Sequence, residues 1–366
     1  MLECGLKSDF AIGKCGLMSR YFRVNIADMS GYVPGEQPGD GEVIKLNTNE
    51  NPYGPSPRVC ATLKKAVDRS LRLYPEPQSD TLRKVAGRVY GVDPDNIIVG
   101  NGSDELLSIL LRCFVGPRDR VAYPVPTYSL YDTLVAIQDG VPVPVEFPDD
   151  FSIPPSLAEQ NAALTFLCNP NAPTGTLVSL TALEKLARSV SGILAVDEAY
   201  VDFAATEGAS AIPLIQRLPN LVILRTFSKS FSLAGMRIGL GFAPAEIIAG
   251  MMKVKDSYNV NRLSLLAATA ALQDLPWMTR NAGRIQRSRR ALSAGLKRLG
   301  YEVYPSEANF VLARKKGREM RNVYEELKRR GTFVRYFDLP GLRDCLRITV
   351  GTPAEIKILL KQVGEI

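Results

Sequence analysis

The chain has 366 residues, 46% hydrophobic and 23% charged, with a formal net charge of +7 and no histidine at all. That length exceeds one compact core of ordinary size and predicts two domains, or a large one with a small companion. The missing histidines exclude Ser-His-Asp and Cys-His catalysis, histidine-ligated zinc or haem, and any histidine general base. Protons must then be moved by lysine, tyrosine, carboxylates or a cofactor, and no metal site is expected. The modest positive balance suits an anionic ligand and by itself argues poorly for nucleic acid. No apolar run approaches the roughly 18 residues that a membrane span needs. The first thirty residues also lack the apolar stretch of a secretory signal. Cys4, Cys15, Cys60, Cys113, Cys168 and Cys345 form no Cys-x-x-Cys pair and read as buried free thiols of a reducing cytoplasm.

Residues before about 25 have no clear period and read either as a flexible arm or as an over-long start. Residues 57–70 carry apolar positions at helical spacing, and residues 80–90 repeat that pattern with Asp80 as a plausible N-cap. A short strand at 97–99 precedes a glycine-bounded turn and an apolar helix over 105–114. A strand at 120–123, a helix over 127–138 and an extended segment over 141–147 follow, the last with two prolines that favour a sheet edge. Apolar runs at 164–168, 193–196 and 221–224, with helical segments between them, fit buried parallel strands. Such alternation predicts an α/β fold, a mostly parallel sheet with helices on both faces. After residue 276 the composition changes: a long basic helix over 277–299, strands at 302–304, 309–314, 333–336 and 346–350, and helices over 318–330 and from 353. This reads as a smaller α+β C-terminal domain. The expected division is an arm over 1–45, a large domain over 46–275 and a small one over 276–366. Arg284, Arg287, Arg289, Arg290 and Arg298 read as the solvated face of the long helix rather than a nucleic-acid patch, since no aromatics interleave them.

Lys229 stands just past the strand 221–226, where α/β folds place their ligands, among hydroxyls and small residues. Desolvation there would lower its pKa and make the amine nucleophilic, whereas an ordinary surface loop with one exposed lysine is the plain alternative. Arg237, eight residues on, offers a charged fork to a phosphate, with Thr226 and Ser228 as hydroxyl donors. Gly100-Asn101-Gly102-Ser103-Asp104 opens a helix and forms a possible anion cradle, although nucleotide and methyl-donor binders have similar turns. Asp197 ends a strand and reads equally as a helix N-cap; a core or helix-start aromatic is the plain alternative for Tyr128.

Together these segments resemble the fold-type I aminotransferases, which depend on pyridoxal 5'-phosphate. The resemblance runs from about residue 26 to the C-terminus and rests on five motifs in fixed order. They are Gly100-Asn101-Gly102-Ser103-Asp104-Glu105, Pro126-Thr127-Tyr128, Asn169-Pro170-Asn171-Ala172-Pro173-Thr174-Gly175, Ala195-Val196-Asp197-Glu198-Ala199-Tyr200, and Thr226-Phe227-Ser228-Lys229 with Arg237. It implies that Lys229 carries the cofactor as a Schiff base and that Asp197 pairs with the pyridinium nitrogen. Tyr200 then meets the phenolic oxygen and Tyr128 stacks on the ring. Gly102, Ser103, Asp104, Thr226, Ser228 and Arg237 are left to hold the phosphate. Where the family usually has a second asparagine before Pro-Thr-Gly, this chain has Ala172. Either Asn171 takes over that contact to the phenolic oxygen or Tyr200 makes it alone.

Within the family the chain looks most like the histidinol-phosphate aminotransferase branch. The carriers are Leu46-Asn47-Thr48-Asn49-Glu50-Asn51-Pro52-Tyr53-Gly54, Tyr74-Pro75-Glu76-Pro77 and Leu346-Arg347-Ile348-Thr349-Val350-Gly351-Thr352. That implies histidinol phosphate and 2-oxoglutarate (giving glutamate) as substrates in histidine biosynthesis. It also implies a homodimer in which Tyr74 reaches the partner's cofactor phosphate, Arg347 and Arg335 bind substrate anions, and Tyr32 closes over the substrate. The alternatives are a strand-surface arginine at 335 and a buried structural ion pair at 347. Threonine-phosphate decarboxylase and aromatic amino-acid aminotransferase are rival activities on the same fold. A nucleotide or methyl-donor binder is the rival of another kind; it would explain the glycine turn but not Lys229, Arg237 and Asp197 together.

Overall fold

The computed structural model describes residues 21–38 and 43–366; Cys4 and Cys15 lie outside the described residues. In chain order the first half comprises α1 (Val24–Asp28), β1 (Ile44–Lys45), α2 (Pro57–Ala66), α3 (Asp80–Tyr90), β2 (Ile97–Gly100) and α4 (Ser103–Phe114). It continues through β3 (Arg120–Val125), α5 (Leu130–Ile137), β4 (Val141–Glu146), β5 (Leu164–Cys168), α6 (Leu180–Ser189) and β6 (Ile193–Asp197). After β7 (Leu221–Thr226) and β8 (Gly239–Phe242) come α7 (Ala245–Val254), α8 (Arg262–Leu272) and α9 (Leu275–Arg298). The C-terminal part holds β9 (Glu302–Val303), β10 (Phe310–Arg314), α10 (Arg321–Arg329), β11 (Thr332–Phe333), β12 (Arg335–Tyr336), β13 (Cys345–Thr349) and α11 (Pro353–Glu365).

Seven strands form one sheet in the order β2-β8-β7-β6-β5-β3-β4. All neighbours run parallel except β8, which is antiparallel to both β2 and β7. The mostly parallel α/β sheet expected from the apolar runs is therefore present. Its central strands are buried on both faces because alternate residues feed different cores. Leu221 and Ile223 pack into one, Val222 and Leu224 into the other. β4, with its two prolines, takes the edge and pairs only with β3. β8 was not anticipated: it reads as Gly239-Leu240-Gly241-Phe242, too glycine-rich for a strand by pattern. Gly239 is required by close approach, since a Cβ there would lie 2.7 Å from the Ser103 backbone nitrogen at the start of α4.

A second, four-stranded antiparallel sheet runs β12-β13-β10-β9 and has its own core, to which α9, α10 and α11 contribute. Leu46 joins that core, and β1 pairs in parallel with β11, so residues 44–46 are stitched to the C-terminal part. The expected strand 333–336 is two short strands of different sheets, because the backbone pairs with β1 first and with β13 afterwards. α11 starts on a complete capping box, Thr352 and Glu355 exchanging bonds.

Several boundaries moved for local reasons. α2 stops at Ala66 rather than 70, because Asp68 accepts from the Ser70 N–H and caps a 3₁₀ turn, Arg69–Arg72. Asp80 is not the N-cap of α3: Ser79 holds that place in a left-handed conformation, and Asp80, inside the helix, pairs with Arg83. α5 begins at Leu130, and Thr127, outside it, donates its hydroxyl to Asn171 Oδ1 (3.2 Å). α4 begins at Ser103, a residue pair earlier than expected, and α10 covers only 321–329. Arg289 is buried, not solvated; it donates to the Phe203 and Ala308 carbonyls and pairs with Glu307. Cys60 is exposed, whereas Cys168 and Cys345 are buried. Among the described residues, no helix is long and apolar enough to cross a membrane, and no cluster suits a metal ion.

Candidate active site

The carboxyl ends of β2, β5, β6 and β7 lie at one edge of the large sheet, and a cleft of about 290 Å³ opens there. Ser103, Asp104, Tyr128, Asp197, Tyr200, Thr226, Ser228, Lys229 and Arg237 line it from the large-sheet side. Arg335, Phe337 and Arg347 line it from the small sheet, and Tyr32, Pro34, Gly35 and Gln37 from the N-terminal segment. Residues scattered over 300 positions of sequence thus meet in one place, as ligand sites at the strand ends of α/β sheets do.

One end of the cleft is built to take an anion. α4 has no side-chain cap, so its first N–H groups remain available. Gly102 does not itself line the cleft but makes the turn possible: its φ is +82°, and a Cβ there would lie 2.8 Å from Arg237 Nη2. Arg237 pairs with Asp104 (2.9 Å) and reaches the Ser228 hydroxyl (3.4 Å). Asp104 also accepts from the Tyr128 hydroxyl (3.3 Å).

Asp197 is only 4% exposed. Burial pushes its pKa up to about 6, against the opposing bond from the Ala199 N–H (3.0 Å). Tyr131, whose hydroxyl donates to Asp197 (3.3 Å), went unnoticed in the sequence because it reads as one more apolar position of α5. The 3₁₀ helix that follows, Val201–Phe203, has Tyr200 at its N-cap, so the bond from the Ala199 N–H to Asp197 closes a local turn and does not cap that helix. Lys229 Nζ donates to the Thr48 carbonyl (3.1 Å). Burial, helped by the positive charge of Arg347, pulls its pKa down to about 8. Lys229 is half-buried in the cleft wall rather than exposed on a surface loop.

Asn171 does not occupy the position considered for it. Its amide is spent on the Pro126 carbonyl (3.1 Å) and the Thr174 hydroxyl (3.0 Å), away from the cleft, which Ala172 lines instead. Asn171 is thus a brace between two loops. Tyr74 also lies outside the cleft, 79% exposed and stacked on Tyr258.

Arg347 donates Nη2 to the Asn47 carbonyl (2.7 Å) and sits between the rings of Phe310 and Phe337. Its buried Nε has no partner. Among the described residues neither Arg347 nor Arg335 forms an ion pair, so the structural ion pair considered for Arg347 is absent. Burial lowers the Arg347 pKa, as expected for a guanidinium short of counter-charge. Tyr32 stands edge-on to Tyr128, centroids 6.0 Å apart.

Sequence reasoning missed the segment 47–50 as a wall of the site, although it had used these residues to recognise the branch. Asn47, Thr48, Asn49 and Glu50 all line the cleft. Hydrogen bonds from Lys45 and Thr48 outweigh the burial of Glu50 and hold its carboxyl below the usual range.

Residues 41–363 match the family described as aminotransferase class I and II. The chain is 43% identical over 354 residues to histidinol-phosphate aminotransferase 1 of Nostoc sp., covering 95% of this chain and 99% of that protein. It is 44% identical to the histidinol-phosphate aminotransferase of Syntrophotalea carbinolica, covering 94% and 99%. Among solved structures, the fold is similar to that of histidinol-phosphate aminotransferase from Sinorhizobium meliloti in complex with pyridoxal-5'-phosphate. There the TM-score is 0.87 at 26% identity, covering 95% of this chain and 97% of that one.

Proposed function

The chain belongs to the class I and II aminotransferase family, and from that premise we propose that it transfers an amino group between L-histidinol phosphate and 2-oxoglutarate with pyridoxal 5'-phosphate as cofactor. One observation carries the proposal. A half-buried amine and a buried carboxylate, Lys229 and Asp197, share a cleft with two arginines, Arg335 and Arg347, that have no acidic partner among the described residues. Guanidiniums bonded only to backbone carbonyls, with no carboxylate beside them, suit substrates that are anions, a phosphate on the donor and carboxylates on the acceptor.

The donor set fits the cofactor. Ser103, Thr226, Ser228, Arg237 and the amino end of α4 suit its phosphate; Tyr128 suits its ring face, Asp197 its ring nitrogen, Tyr200 its phenolic oxygen and Lys229 its aldehyde. When bound, the cofactor supplies the electron sink that lets a proton leave the carbon bearing the amine. Asp197, ionised above about pH 6, holds a proton on the ring nitrogen. Lys229, neutral above about pH 8, takes the substrate proton at Nζ and returns it. Arg347 and Arg335 orient the anionic substrate, and Tyr32 with its segment covers the cleft and excludes water. No histidine is needed for any of these steps. The proposal extends to a cytoplasmic homodimer, in which the exposed Tyr74 reaches the phosphate seat of the neighbouring copy.

The test is a single turnover of cofactor-loaded protein with histidinol phosphate and no keto acid. Loss of the yellow absorbance, restored by 2-oxoglutarate, is expected. A response to phenylalanine or threonine phosphate alone would overturn the donor while leaving the cofactor chemistry in place.

A further inference from the structure

We infer that Asn49 is a positioning residue that fixes which way the Tyr200 hydroxyl points its proton. Asn49 is 2% exposed and stands in the left-handed region at φ +57°, which asparagine tolerates better than most residues. Its surroundings assign every proton. The Asn49 backbone N–H donates to Thr349 Oγ1 (3.0 Å), so the threonine's own hydrogen is free to go to Asn49 Oδ1 (3.1 Å). With Oδ1 accepting, the amide NH₂ must face the other way, and there Nδ2 donates to Tyr200 Oη (3.1 Å). Asn309 Nδ2 clamps the Asn49 carbonyl (2.9 Å), so the segment cannot rotate to relieve the arrangement.

The consequence lies at Tyr200. Its oxygen already accepts from Asn49, and no acceptor for its hydrogen is found among the described residues. Tyr200 lines the cleft, and Ala172, also lining it, brings no polar side chain. The Tyr200 proton is therefore left to donate toward the cleft, which suits an anionic oxygen of a bound group. Burial keeps the phenol protonated by raising its pKa. Thr349 and Arg347 alternate along β13 and both hold the 47–49 segment, so the proton direction at Tyr200 is set from the strand that carries the substrate-facing arginine.

The inference rests on the proposed cofactor chemistry, and its test separates the two. Asn49→Asp keeps size and left-handed tolerance but replaces the NH₂ donor with an acceptor, which draws the Tyr200 proton out of the cleft. Asn49→Gly removes the donor without backbone strain and serves if the aspartate variant fails to fold. The readout is the absorbance of cofactor-loaded protein titrated against pH, with no substrate. A hydrogen bond donated to the ring oxygen stabilises its anion and lowers the midpoint of that titration, so losing the donor raises it. We expect a rise of about one pH unit for Asn49→Asp and a smaller rise for Asn49→Gly. In a Tyr200→Phe background neither substitution should move the midpoint further, because there is no proton left to direct. Unchanged midpoints in the single variants, or shifts that persist in the Tyr200→Phe background, would overturn the role of Asn49. If Tyr200→Phe alone leaves the midpoint unmoved, the assignment of Tyr200 falls, and this inference with it.

Discussion

The two walls of the cleft are built by opposite means. The large-sheet wall places Asp197, Thr226, Ser228 and Lys229 at or within a few residues of strand ends, so that backbone register alone brings them together. The facing wall is assembled from the N-terminal segment, residues 47–50 and β12–β13, joined by hydrogen bonds across about 300 positions of sequence. The first wall holds the amine and carboxylate to which the proposed chemistry falls and is fixed by a mostly parallel sheet buried on both faces. The second holds the two arginines without acidic partners among the described residues and depends on a few specific long-range bonds. Substitutions should therefore abolish turnover on the first wall and change its selectivity on the second.

The largest effect is expected at Lys229. Lys229→Met should lower kcat by at least about a thousand-fold, as loss of a general base does. The same variant should stabilise the cofactor-free protein. Burial holds the folded-state pKa near 8, below that of an exposed lysine. In the window between those values the unfolded chain binds more protons than the folded one, so wild-type stability rises with pH there and burial costs most below it. At pH 7 the gain for Lys229→Met should be about 1–3 kcal/mol in denaturant unfolding, fading as the pH climbs past 8. By the same reasoning, capture of free cofactor by the wild type should quicken as pH rises and level off above about 8. An unchanged unfolding midpoint would mean that Lys229 is better solvated than its surroundings indicate.

The difference between the walls also explains what could be read in advance. Lys229, Asp197 and Arg237 stand in local motifs, because a strand end followed by a tight turn leaves a signature in adjacent residues. Asn49 and the ion-pair-free state of Arg347 leave no such trace: both depend on which distant strand lies alongside. The choice between Asn171 and Tyr200 stayed open because a position beside the cleft does not say which way an amide turns, and Pro126 and Thr174 decide that. β8 escaped for a related reason, its glycines being dictated by the close approach of α4 rather than by strand propensity.

Arg347 gives the intermediate effect and tests the division directly. Replacing it with methionine removes a charge-assisted contact worth about 1.5–3 kcal/mol, so kcat/KM should fall roughly 10–100-fold for anionic substrates. Cofactor affinity should stay within about two-fold, since the proposed phosphate seat lies on the other wall. A comparable loss of cofactor affinity would erase the distinction between the two walls.

The smallest effect concerns how the N-terminal segment is fastened. Glu36 pairs with Lys328 of α10 (2.8 Å) and accepts from the Tyr324 hydroxyl (3.2 Å), while its carbonyl accepts from Asn47 Nδ2 (2.7 Å). Glu36→Gln removes the charge and leaves the backbone anchor. An ion pair this exposed contributes about 0.2–1 kcal/mol, so KM should rise by no more than about five-fold with kcat nearly unchanged. The effect should vanish at high salt, where the wild type loses the same interaction. Asn47→Ala cuts the backbone anchor instead and should raise KM further with no salt dependence. If the two variants behave alike, the segment is held over the cleft by Tyr32 and Gly35 packing rather than by either bond.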